Sequence, residues 1–278
     1  MTTKRSVVAV DSTVFYASIA RLIEGDTTPY VGYVHADPVE KIHYPAREAS
    51  RHTELAEAVV KAVVESRHGS PELVVLVKPH LGSLAKDPSG HRRLGVHWEL
   101  VRLFAAAGIP VGELSILSVQ KACIGRGEWG TKGTTALAEW VAQQWEGYAA
   151  PTREDGKADA RFRATTVAMA AAGAMAVGFP VPQLPATDTV LTGLRSGFNL
   201  PPSARLPETS AAYVKRSSRL QPDAYVQERL TLIATLPVSE LETWHVPRNS
   251  QLRKALEARL GGDEEAELER QMMGGGDL

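Results

Sequence analysis

Cysteine is almost absent from this chain: Cys123 is the only one in 278 residues. That excludes an internal disulfide and a cysteine-rich zinc site, and it fits a reducing compartment. Charge of one sign is also lacking, since 31 Lys and Arg stand against 32 Asp and Glu for a net −1. Contact with a polyanion would therefore need a local basic face rather than overall charge. No run is convincingly membrane-like. The most apolar stretch, Ala164 to Val181, is mostly alanine, with Asp159, Arg161 and Arg163 crowding its start, so a buried helix is expected rather than a membrane span. Met1-Thr2-Thr3-Lys4-Arg5-Ser6 has no apolar core of a signal peptide, and a cytoplasmic protein is expected. Internal repeats are missing too.

What is present is an alternation of strand-like and helix-like patterns. Val7–Asp11 reads as a first, buried strand, and Phe15–Leu22 and Tyr30–Ala36 as strands joined through Glu24-Gly25-Asp26. Helical periodicity follows over Thr53–Ser66, and the continuous apolar run Leu73–Val77 fits a central strand. Arg93–Ala107 reads as a helix, Val111–Leu117 as a strand, and Thr134–Trp145 and Asp159–Val177 as two more helices. The order β-β-β-α-β-α-β-α-α describes a mixed sheet, an antiparallel meander plus parallel strands, flanked by helices.

Composition changes at Phe179. Six prolines between Pro180 and Pro207 suggest a connector over residues 179–209. Ala211–Leu220, Asp223–Leu236 and Ser250–Leu260 read as helices of a C-terminal extension over 210–260, with a turn at Val238–Thr243. Residues 261–278, acidic and then glycine-rich, are expected to be a mobile tail. The extension carries Lys215, Arg216, Arg219, Arg248, Arg253, Lys254 and Arg259, which suit either an enlarged DNA footprint or the polar face of helices packed on a protein partner.

Asp11 is the most informative residue. A carboxylate at the end of a buried strand is costly unless it meets a metal, a cation or helix N–H groups. Far downstream, Glu154-Asp155-Gly156-Lys157-Ala158-Asp159 opens the alanine-rich helix. Asp155 and Asp159 are one turn apart on one face. If that helix starts beside Asp11, the acids would form a set of the kind that holds Mg²⁺ for cutting phosphodiesters. Acids in a first helical turn also simply favour the macrodipole. His80, His91 and His97 lack metal-ligand spacing. Gly125-Arg126-Gly127-Glu128-Trp129-Gly130-Thr131-Lys132 fails as an ATP-binding P-loop, because Thr131 intervenes between the last glycine and the lysine. With Lys121, Arg126, Lys132 and Trp129 it is instead a basic loop with one aromatic, suited to a DNA backbone and a stacked base or else simply solvated.

Three segments together resemble the RNase H-like superfamily, and within it the RuvC-type Holliday junction resolvases, especially their actinobacterial phage relatives. They are Val8-Ala9-Val10-Asp11-Ser12, then Leu73–Pro79 with His91-Arg92-Arg93-Leu94-Gly95 and Ala107–Val111, and then Ser118–Lys121 through Gly125-Arg126-Gly127 and Thr131-Lys132 to Lys157-Ala158-Asp159-Ala160. The resemblance spans an RNase H-like domain over residues 1–178. It implies a metal-dependent endonuclease acting on branched or double-stranded DNA as a homodimer. Asp11, Asp155 and Asp159 would hold Mg²⁺ or Mn²⁺, and Lys132 would meet the phosphate. Lys121, Arg126, Trp129, Arg92 and Arg93 would contact DNA. One departure stands out: where the family has a glutamate at the end of the fourth strand, this chain has Val77, or Lys78 if the register slips by one. Neither ligates Mg²⁺, although a lysine beside Asp11 would neutralise it. The alternative implied is a catalytically inactive RNase H-like scaffold that binds nucleic acid or a protein partner.

Overall fold

A computed structural model describes residues 4–36, 45–79, 90–145, 148, 160–207, 222–242 and 251–261. The chain divides into two compact units, Met1–Ser217 and Ser218–Leu278.

The first unit is built on one sheet. β1 (Ser6–Ser12), β2 (Tyr16–Ile23) and β3 (Tyr30–His35) form the antiparallel meander. β4 (Leu73–Val77) and β5 (Val111–Leu114) run parallel to β1, and the short β6 (Phe198–Asn199) closes the far edge antiparallel to β5. The order β3-β2-β1-β4-β5-β6, flanked by helices, is the RNase H-like arrangement with one extra edge strand. The helices are α1 (Pro45–Val64), α2 (Gly90–Ala106), α3 (Ile116–Ile124), α4 (Thr131–Gln144), α5 (Ala160–Val177) and α6 (Asp188–Arg195).

Strand alternation divides the core into two layers. Val8, Val10, Val74 and Leu76 pack with Leu55, Val59, Leu100 and Phe104 of α1 and α2. Val7, Ala9, Leu73 and Val75 pack with the alanines of α5 and with Val119, Leu137 and Leu191 of α3, α4 and α6. The central strands β1 and β4 are covered on both faces, which is why they read as unbroken apolar runs.

The alanine richness of α5 lets it lie close on the sheet. At Gly173 an added Cβ would stand 2.7 Å from both Val7 Cγ1 and Val75 Cγ2, so glycine is required there by approach rather than by turn geometry. From Ala164 to Val177 every residue of α5 is buried. No helix among the described residues is long and apolar enough to cross a membrane.

Ion pairs fix the amino edge of the sheet. Arg5 makes a two-pronged contact with Glu72 (2.8 and 2.9 Å) and donates to the Val177 carbonyl at 2.7 Å. Buried Arg21 has no carboxylate among its contacts with the described residues. It donates to Val63 O (2.7 Å), Gly69 O (2.6 Å) and Ser6 Oγ (3.1 Å), so it ties the C-terminus of α1 to the sheet. Burial lowers its pKa to about 10.

The structure differs from the sequence reading in three places. The chain leaves β5 at Leu114 and turns into α3, where one strand was expected to Leu117. The proline-rich stretch holds α6 and β6 and adds Phe179, Leu184, Leu191 and Leu194 to the core. α1 begins at Pro45, a turn or more before the expected Thr53.

The second unit contains α7 (Pro222–Thr235), α8 (Val238–Leu241) and a helix over 251–261, here α9, around Ile233, Leu241, Leu252 and Leu256. The helix expected over Ala211–Leu220 lies outside the described residues, and of the tail expected over 261–278 only Gly261 is described, as the last residue of α9.

Candidate functional site

Asp11 sits near the carboxyl end of β1 and is only 8% exposed. Its cross-strand partner on β2 is Ser18. On the other side the parallel register pairs Val10 with Leu76, and the next step places Val77 beside Asp11. The structure therefore settles the one-residue ambiguity. Val77 occupies the strand-four place, and Lys78 falls beyond the end of β4, exposed, with its N–H donating to Leu114 O at 3.0 Å. The place a neutralising lysine would need is taken by a valine.

Helix α5 reaches this end of the sheet. Its Gly173 packs near the start of β1 and its Thr166 lies over Ser18, 3.1 Å between hydroxyl oxygens. The helix thus runs antiparallel to β1 and points its N-terminus toward the edge where Asp11 lies. Thr165 and Thr166 are both fully buried there. Asp155 and Asp159, just before the helix, lie outside the described residues.

A divalent ion of the Mg²⁺ type takes several oxygen ligands, usually including more than one carboxylate. Among the described residues no group of three or more His, Cys, Asp or Glu is placed to hold a metal. Asp11 is the one predicted carboxylate that the described residues supply. That single carboxylate does not by itself fit a divalent metal.

The basic loop has a defined shape. Gln120 on α3 is fully buried, and its Oε1 accepts the Glu128 N–H at 2.7 Å. Gly125 (φ 74°) and Gly130 (φ 80°) supply the positive-φ positions at its two ends. The loop then folds tightly onto the start of α4, where a Cβ at Gly133 would clash with the Glu128 carbonyl and lie 2.7 Å from Gln120 Nε2. Glu128, to which the sequence reading gave no role, lies between the two cations, 3.2 Å from Lys132 Nζ and 3.9 Å from Arg126 Nε. Lys132 and Arg126 remain largely exposed, as do Lys121 and Trp129. No described contact joins Lys132 to Asp11.

On the α1–α2 side the same edge carries a second group that the sequence reading missed. The turn from β1 to β2 is held by Thr13, whose hydroxyl donates to Tyr16 O (2.9 Å) and accepts the N–H groups of Phe15 (3.2 Å) and Tyr16 (3.1 Å). Arg51 of α1 lies over the Phe15 ring at 5.7 Å and pairs with Glu48 at 2.9 Å. His52 packs so tightly on α2 that a Cβ at Gly95 would meet its Nδ1 at 2.6 Å. Burial lowers the His52 pKa; Glu48 opposes the shift, while Arg51, Arg92 and His91 reinforce it. Arg92 and His91 therefore stand near His52, and Arg93 is exposed on the same first turn of α2. The one legible cue was Phe15 itself, an apolar residue at a hairpin tip four positions after Asp11.

Two other groups take structural places. His97 is buried and contacts Glu113 at 2.7 Å, and Asn199 donates to the same carboxylate at 3.2 Å, so the three link α2, β5 and β6. Burial raises the Cys123 thiol pKa above its ordinary value.

No family model matches the chain, and no curated protein matches it in sequence. Among solved structures it is similar to the RuvC of Thermus thermophilus. The form in complex with a Holliday junction substrate is 19% identical, with a TM-score of 0.41 over 60% of this chain and 90% of that one. A second structure of the same RuvC is 16% identical, with a TM-score of 0.40 over 59% of this chain and 90% of that one.

Proposed function

We propose that the chain is a structure-selective endonuclease of the RuvC type that acts on branched DNA as a homodimer with Mg²⁺ or Mn²⁺. The observation that carries this reading is Asp11, nine-tenths buried at the carboxyl edge of the central strand, with α5 aimed at that edge. In this reading Asp155 and Asp159 complete the oxygen set with Asp11. Lys132 meets the phosphate at the start of α4, and Lys121, Arg126, Trp129, Arg92 and Arg93 hold the flanking DNA. Two cuts across a two-fold junction need two copies of the site. The test is cleavage of a four-way junction by the full chain with Mg²⁺ or Mn²⁺, beside Asp11→Asn. Cleavage lost in the variant is expected; a blank result at micromolar protein would end the proposal.

A second reading has its own observation. Val77 in register beside Asp11 brings no oxygen to the place where the resolvases carry a glutamate. With no fourth acid beside Asp11, Asp155 and Asp159, the chain would bind branched DNA or a protein without cutting. Junction binding with unchanged substrate after long incubation is the outcome that favours it.

A further inference from the structure

A cleft of about 320 Å³ opens on the face of the sheet that α1 covers, a size suited to a small ligand. Its floor is the β2–β3 pair, where Arg21 stands opposite Tyr30 and Ile19 opposite Gly32. Ala62 of α1 and the following Ser66, Arg67 and His68 form its wall. Arg21 also pairs with Val8 on β1, three positions before Asp11. The cleft therefore lies about 10 Å from that carboxylate along the strand, and strand alternation puts it on the opposite face of the sheet.

Arg21 marks a polar end. It is 5% exposed, and its bonds to Val63 O, Gly69 O and Ser6 Oγ use three of the five N–H groups of a guanidinium. The N–H on Nε and one on Nη2 meet no acceptor among the described residues. A buried cation left so is costly unless an anion meets it. Arg67, exposed, lines the same end and donates to His68 Nε2 at 3.2 Å. Burial lowers the His68 pKa, and Arg67 and Arg21 add to the shift against Asp26, so both guanidinium groups act on one place. No carboxylate is among the described residues that line the cleft, and Asp26 is engaged by Lys4 at 2.6 Å.

The other end is apolar. Ile19, Val34 and Ala62 line it, and a Cβ added at Gly32 would meet no described atom within 4 Å. Tyr30 stands between the two ends, 40% exposed, with its ring 4.5 Å from the His68 imidazole. Two guanidinium groups at one end suit a phosphate. An apolar floor beside an aromatic ring, without side-chain donors, suits a flat ring better than a sugar or a peptide.

We infer that this cleft binds a nucleoside monophosphate, with its phosphate on Arg21 and Arg67 and its base over Gly32. The inference does not depend on the nuclease reading. It is tested by calorimetric titration of the full chain with deoxyadenosine monophosphate at constant ionic strength, as wild type, Gly32→Leu, Arg67→Ala and Lys132→Ala. Arg21 is left in place because its bonds hold α1 on the sheet. The wild type should bind saturably, and inorganic phosphate should displace the nucleotide where chloride does not. Arg67→Ala should weaken binding about 10-fold or more, the loss expected for one hydrogen bond to a charged group. Gly32→Leu should abolish it by filling the place of the base, and Lys132→Ala in the basic loop should leave it unchanged. No saturable heat at millimolar nucleotide overturns the inference, as does wild-type affinity in either cleft variant. Deoxyadenosine that binds as tightly as its phosphate overturns it too, and so does a loss confined to Lys132→Ala, which would place the nucleotide on the basic loop.

Discussion

The hydroxyls of Ser18 and Thr166 meet at 3.1 Å in a fully buried setting and tie β2 to α5 next to Asp11. Ser18 is also the cross-strand partner of Asp11. One contact therefore sets where the start of α5 stands relative to the carboxylate. Loss of a buried hydroxyl partner costs about 1–3 kcal/mol. Ser18→Ala and Thr166→Val should each lower stability by about 1 kcal/mol or more, and the double variant should lose less than the sum. Urea titration of the four proteins reads the coupling directly; strict additivity would mean that the two hydroxyls do not depend on each other.

Gly173 is the second determinant of that helix position. Intrinsic propensity favours alanine over glycine in a helix by about 1 kcal/mol, so a free surface would make Gly173→Ala stabilising. Here the new methyl meets Val7 and Val75 at 2.7 Å, and overpacking of this kind costs about 1–3 kcal/mol. The expected sign is destabilisation, recovered in part when Val75→Ala is added. A higher midpoint for the single variant in urea would show that α5 lies further from the sheet.

His97 gives a pH dependence with a definite sign. Burial lowers its pKa below the ordinary 6.5, and the bond to Glu113 only partly opposes this. The unfolded chain then binds the proton more readily than the folded one. Stability from this group is complete above the unfolded pKa and is lost as pH falls through it toward the folded value. His52, also lowered chiefly by burial, adds a slope of the same sign. Denaturation midpoints measured from about pH 7.5 down to about pH 5 should fall, and the fall should be shallower in His97→Gln. A midpoint that rises on acidification would reverse the assignment.

Much of the fold was legible because burial on both faces writes itself as hydrophobic runs. Val7–Val10, Leu73–Val77 and the alanines of α5 are such cases, and the meander was marked by Gly25 in its turn. The helix α3 was hidden because an apolar run does not distinguish strand from helix. Structurally the strand stops where the Ser115 N–H donates to Gly197 O, and Val119 and Ala122 then turn into the core as a helix. The first turns of α1 were hidden by their own polarity. Arg47 pairs with Glu54 and Arg51 with Glu48 within the helix, in place of an apolar stripe. The candidate site was legible only as far as Asp11. The place of Val77 depends on strand register, and the clamp of Gln120 on Glu128 depends on how a glycine loop folds back, which spacing alone does not reveal.

The carboxylate of Asp11 is best probed by the ion itself. Calorimetry with Mg²⁺ or Mn²⁺ on the full chain should give saturable binding that is lost in Asp11→Asn, since one carboxylate fewer leaves too few anionic oxygens for a hard divalent cation. Asp155→Asn and Asp159→Asn should each weaken it. Equal heats for wild type and Asp11→Asn would place any bound ion elsewhere and favour the inactive-scaffold reading.

Glu128 offers a test of the basic loop that leaves the loop intact. Its backbone N–H, not its side chain, is the group that Gln120 holds, so Glu128→Gln keeps that anchor. The substitution removes the one carboxylate that, among the described residues, lies near both Lys132 and Arg126. If those cations meet phosphates, binding to DNA no longer has to displace an internal acid. Affinity should then rise, and its salt dependence should steepen, by up to about 0.9 in the logarithmic slope for each additional phosphate neutralised. Titration of a four-way junction at several salt concentrations measures both quantities. An unchanged affinity and slope would mean that the loop cations do not touch DNA, and Lys132 would then be no more than the partner of Glu128 on the first turn of α4.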